Sequence, residues 1–115
     1  MQDKEISAAT LAAVRQFVTE RNWDQFHNPK DMAISLSLEA AELLELFQWS
    51  GADLAVPAKK PQMAEELADV FMYCIMLSQV LKLDPETIIK EKLAQNIQKY
   101  PVAKAYGNAK KYTEL

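Results

Sequence analysis

From Ser7 onward the apolar residues recur every three or four positions, and no stretch alternates with a period of two. That spacing predicts helices. The first runs from Ser7, an N-cap residue type, to about Arg21, with Leu11, Val14, Phe17 and Val18 on one stripe. The segment NWDQFHNPK, residues 22–30, breaks the pattern. Pro29 disfavours helical geometry at Asn28, so a loop carrying Trp23, Phe26 and His27 is expected there. A second helix is predicted from Asp31 as N-cap to about Trp49, with Gly51 as its stop. After a linker at 51–61, a third helix starts at Pro61 and runs to about Leu83. Asp84, Pro85 and Glu86 supply the cap, first-turn proline and first-turn acid of a fourth helix, which ends near Tyr100, before Pro101. The tail from Val102 is expected to be irregular.

These elements predict an all-α fold, a four-helix antiparallel bundle, as one domain over residues 1–115. The third helix qualifies the picture. Its second half, Val70–Leu81, is twelve residues without a charge. A helix apolar on every side needs neighbours on every side, which predicts a homo-oligomer.

Composition narrows the classes. The net charge of −3, without a basic block, argues against binding a nucleic-acid polymer. The start MQDKEISAAT lacks an apolar leader, and twelve uncharged residues are too few to span a bilayer. A cytoplasmic protein with no membrane role is expected. The single Cys74 excludes an internal disulfide and, sitting in the apolar run, is expected to be buried. Two glycines, Gly51 and Gly107, cannot form a glycine-rich phosphate loop.

The candidate chemistry lies in acids placed where core residues belong. On a wheel of about 100° per residue, Glu39 falls among Met32, Leu43 and Leu46, with Glu42 to one side near Trp49. On the third helix Asp69 falls among Tyr73, Met76 and Val80, with Glu66 one turn earlier. Each helix thus offers an acid pair at i, i+3 on an apolar face. A single such pair is most often a solvated face. Two pairs on neighbouring helices would bring four carboxylates into one cleft, where they repel unless a cation compensates. All-oxygen ligands favour Mg²⁺, with Mn²⁺ the alternative. Di-iron bundles use Glu-x-x-His pairs, and the lone His27 lies on a loop. A Mg²⁺ site of this kind suits phosphoryl-type hydrolysis of a polyphosphate. Glu45 and Glu65 remain as spare carboxylates to accept a proton. Trp23, His27, Trp49 and Tyr73 are candidates to hold a base, and lysines of the fourth helix and tail to meet phosphates. The bland rival is a non-catalytic helical oligomerisation or nucleotide-binding module.

Four segments sharpen this: ERNWDQFHNPKDMAISLSLEAAELLELFQW (20–49), EELADVFMYCIML (65–77), EKLAQNIQKYP (91–101) and KKYTEL (110–115). Together they resemble the MazG-like all-α nucleoside triphosphate pyrophosphohydrolases, most closely their dCTP pyrophosphatase branch. The resemblance covers roughly residues 11–115. It implies Mg²⁺-dependent hydrolysis to the monophosphate and pyrophosphate, in cleaning of the nucleotide pool. It implies Glu39, Glu42, Glu66 and Asp69 as metal ligands and catalytic residues, and Trp23, Trp49 and Tyr73 around the base. Lys92, Asn96 and Tyr100 would meet the phosphates, in a tetramer or dimer of dimers. Two positions depart from the family pattern. Leu38 stands where many members carry a further acid, and Val14 where some carry a histidine, which leaves the base preference open.

Overall fold

The computed structural model describes residues 5–115, and they are helical or irregular, with no strand among them. Residues 1–4, part of the stretch expected to lack an apolar leader, lie outside the described residues. Helix α1 spans Ala8–Glu20 behind Ser7, whose Oγ accepts from the Thr10 backbone N–H at 3.2 Å. A short 3₁₀ turn, Trp23–Phe26, follows.

Helix α2, Pro29–Glu45, begins three residues earlier than the pattern predicts. The cap is Asn28, not Asp31: Asn28 Oδ1 accepts from the Asp31 N–H at 2.9 Å. Pro29 takes the first helical position, where its missing N–H costs no bond. The proline thus starts the helix instead of prolonging the loop.

The other end of α2 stops at Glu45, short of the expected Trp49. The N–H groups of Leu46, Phe47 and Gln48 bond back to Leu43, Leu44 and Glu45, each three residues earlier. Such bonds wind the chain more tightly than an α-helix. Lys59 Nζ, from a 3₁₀ turn at Pro57–Lys59, donates to the Leu46 carbonyl at 3.3 Å and satisfies one of the terminal acceptors. Trp49 then adopts φ 68 and stands 92% exposed. Its expected place beside Glu42 depended on a helix that has already ended.

Helix α3, Lys60–Leu81, ends where Lys82 turns left-handed at φ 56. Helix α4, Pro85–Lys99, is capped by Asp84 as expected, its carboxylate accepting from the Thr87 N–H at 3.1 Å. The tail is more ordered than predicted, with a short helix α5 at Val102–Ala105 and a 3₁₀ turn at Tyr112–Glu114.

The chain divides after Lys82 into two compact units. The first holds α1, α2 and α3. Its core is Val18, Met32 and Met76, flanked by Val14, Tyr73, Leu77 and Val80. Met32, near the start of α2, packs with Met76, near the end of α3. Further along, Glu42 meets Glu66. The two helices therefore run antiparallel. On α1, the Leu11 carbonyl accepts from Gln79 Nε2 at 3.1 Å.

Around α3 only Ile75 and Met76 are buried, while Phe71 is 52% exposed. Cys74 is exposed, against expectation. It lies about 200° round the helix from Met76, on the side that α1 and α2 leave open. In the second unit Ile89, Leu93 and Ile97 form an exposed row on α4, and the Tyr100 ring meets Tyr112 edge-on at 6.1 Å. Among the described residues no helix is long and apolar enough to cross a membrane.

Candidate metal centre

The antiparallel pairing of α2 and α3 sets their two acid pairs face to face. One carboxylate oxygen from each of Glu39, Glu42, Glu66 and Asp69 lies within 4.8 Å of all the others. Glu39, Glu66 and Asp69 are half-buried, and Glu42 is exposed. The spacing found in the sequence thus closes into one cluster.

Its electrostatics are unfavourable as it stands. The Glu39 pKa is pushed up to about 6, first by burial, then by its close contact with the Glu42 carboxyl and by the charges of Glu42, Asp69 and Glu66. Glu66 is raised in the same direction, mainly through its own contact with Glu42, then by burial. Glu39 Oε2 and Glu66 Oε2 are enclosed, and no protein donor reaches either. Buried acceptors in native proteins nearly always find a partner. Crowded oxygens, no donor and surplus negative charge make this donor set fit a hard divalent cation.

Beside the acids opens a cavity of about 480 Å³, with Glu39 and Asp69 in its wall. That volume lies within the range usual for small-molecule sites. Tyr73, Trp23 and Phe17 give it aromatic surfaces. Burial, then the charges of Glu39, Asp69 and Glu42, keep the Tyr73 phenol protonated by raising its pKa.

Trp23 is fixed from two directions. Its ring meets Phe17 edge-on at 5.4 Å and 83°. Asp24, next along the 3₁₀ turn, is salt-bridged to Arg15 on α1, which holds the Asp24 carboxyl below its ordinary pKa.

His27, Trp49 and Glu45 are not among the residues that line the cavity. The His27 ring lies 6.4 Å from Trp23, outside the cavity lining. Trp49 stands in the turn after α2. Glu45 faces a separate groove with Ala41, Leu44 and Phe47. Lys92, Asn96 and Tyr100 belong to the second unit, on α4 and its cap. Sequence reasoning passed over Thr10, Ala13 and Met72, which line the cavity. Their types carry no signal, because small, apolar and hydroxyl residues on a helix read as ordinary packing or capping.

Residues 34–115 match the model of the MazG-like family, which takes in all four acids. This chain belongs to that family. The MazG-like match begins within α2, so α1 and Trp23 lie before it. Longer alignments reach them. The chain is 37% identical to rat dCTP pyrophosphatase 1 over 105 residues, 87% of this chain and 62% of that protein. It is 35% identical to the bovine protein of the same name over 118 residues, 95% of this chain and 70% of that protein. It thus spans less than two thirds of the rat relative's length. Among solved structures, a pyrophosphatase from Archaeoglobus fulgidus superposes with a TM-score of 0.77 at 34% identity. That match covers 88% of this chain and 97% of the archaeal one.

Proposed function

We propose that this MazG-like chain is a Mg²⁺-dependent nucleoside triphosphate pyrophosphohydrolase with dCTP as preferred substrate, releasing dCMP and pyrophosphate. The observation that carries the reading is the enclosed pair Glu39 Oε2 and Glu66 Oε2, without donors, in a four-carboxylate cluster that opens onto an aromatic cavity. Relatives named dCTP pyrophosphatase and pyrophosphatase support it. Glu39, Glu42, Glu66 and Asp69 would hold the cation, Mg²⁺ or Mn²⁺. When bound, the ion supplies positive charge against the triphosphate.

The protein's own groups orient and deprotonate. Trp23 and Tyr73 receive the base, with His27 behind Trp23; Trp49 joins them only from a neighbouring subunit or after the turn rearranges. Water attacks the α-phosphorus, its proton passes to a carboxylate of the cluster, and the α–β bridge breaks to release pyrophosphate. Lys92, Asn96 and Tyr100, on α4 and its cap, are proposed as phosphate contacts on the family resemblance alone.

The exposed apolar surfaces of α3 and α4 support a homo-oligomer, a tetramer or dimer of dimers in which four-helix bundles are completed. The same surfaces are what a non-catalytic oligomerisation module would carry. A cytoplasmic role in cleaning the nucleotide pool follows from the substrate. Incubation with dCTP and Mg²⁺, followed by chromatography, tests the activity. Equal amounts of dCMP and pyrophosphate are expected. Orthophosphate as sole phosphate product overturns the reading, and no turnover of any dNTP overturns it in favour of the module.

A further inference from the structure

The cavity beside the acids has two ends of different chemistry. Glu39 and Asp69 stand at one. The hydrogen bond from Gln79 Nε2 to the Leu11 carbonyl holds the beginning of α1 level with Gln79. Gln79 follows Asp69 by ten residues, about 15 Å along α3 at the helical rise. Thr10, next to Leu11, lines the cavity at this far end.

Between the two ends the wall is largely apolar, with Val14, Phe17 and Met72. Neutral polar atoms on the lining are few: those of Thr10, Trp23 and Tyr73. Tyr73 feels the charges of Glu39 and Asp69 and so belongs to the acid end. The Trp23 indole can only donate. Thr10 Oγ1 can donate and accept. It is also oriented: Ser7 Oγ lies 3.2 Å from it while accepting from the Thr10 N–H.

We infer that Thr10 is a specificity-determining residue, whose hydroxyl hydrogen-bonds the polar edge of the base lodged in the cavity while the triphosphate lies toward Glu39 and Asp69. This rests on the pyrophosphohydrolase reading. Aromatic faces such as Trp23 stack on any base and discriminate little. Discrimination comes where a polar edge meets an apolar wall, because an edge without a partner is penalised. Thr10 supplies the partner at the end remote from the reacting phosphorus.

The test is steady-state kinetics with Mg²⁺ and each of dCTP, dTTP, dATP and dGTP, for the wild type, Thr10→Val and Thr10→Ser. For Thr10→Val the KM of the best substrate is expected to rise about tenfold with kcat little changed, since a contact far from the chemistry affects binding uniformly. The poorer substrates change less, so the spread among the four narrows. Thr10→Ser keeps the hydroxyl and restores most of the spread. An unchanged ranking and KM in Thr10→Val overturns the inference. So does an equal loss on all four substrates with a lowered Tm, which marks a structural role. Either result leaves an active wild type, and the function, standing. A wild type inactive on all four removes the function and this inference together.

Discussion

The α2–α3 pair has two ends that obey opposite rules. At one end Met32 meets Met76 in the most buried cluster of the first unit. At the other, Glu39, Glu42, Glu66 and Asp69 crowd together, with two enclosed oxygens lacking donors. The same antiparallel pairing builds both. The methionine end gains from losing water, whereas the acid end loses by it. The apolar end therefore holds the acid end in a geometry that it would not adopt alone.

The largest test breaks the acid end. Glu39→Gln or Asp69→Asn is expected to lower dCTP turnover by on the order of a thousandfold, about 4 kcal/mol of barrier. The Tm of the metal-free variants should hold level or rise, because a repelling charge is gone. Near-normal turnover in both would detach the acids from catalysis.

Breaking the apolar end should give the reverse pattern. Met76→Ala removes side-chain volume from the small core and should cost about 2–3 kcal/mol of stability, read by denaturant unfolding. Turnover per folded molecule at low temperature should fall far less than for the acid variants. If Met76→Ala unfolds like the wild type, the apolar end is not what supports the pair.

A titration sharpens the contrast without mutation. Glu39 rises from 4.5 to about 6 on folding, and Glu66 rises too. Such groups bind more protons folded than unfolded, so their contribution to stability declines as pH climbs between those values. The low-pKa carboxylates Asp24, Asp53 and Asp84 act oppositely, but they lose their contribution as pH falls through and below the ordinary aspartate value of 3.8. In chelator-treated protein, Tm should therefore fall from pH 4.5 to 6.5, and Mg²⁺ should reverse the fall at the upper end. A Tm that climbs through this range without metal would contradict the crowding of the acids.

The smallest effect is expected at Glu45, which sits between the two readings of α2. It shares the acid-rich stretch but faces a separate groove. Glu45→Gln should stay within about 0.5 kcal/mol of wild-type stability and keep normal turnover. Loss of activity would return it to the centre as the proton acceptor.

Much of this was open to the sequence. Helical period located α1 through α4, and the Asp84–Pro85–Glu86 start was read correctly because each residue there acts on its own backbone. The acid pairs were legible for the same reason, since i, i+3 spacing fixes a shared face within one helix. The ends of α2 were not. Pro29 suits a loop or a first helical position equally, and Asn28 decides between them only once its side chain bonds Asp31. Trp49 was misplaced because the helix stops where Lys59, thirteen residues after Leu46, reaches the Leu46 carbonyl. Cys74 was misread because an uncharged helix does not state which of its sides is covered.

The sequence by itself determined the helices, their faces and the four acids, all set by local periodicity and composition. Only the tertiary structure decided that the acids share one cluster, that two of their oxygens lack donors, and that Thr10 stands in the same cavity. Those facts depend on the register of α2 against α3 and the placement of α1. Contacts distant in sequence, such as Met32 with Met76 and Leu11 with Gln79, set both.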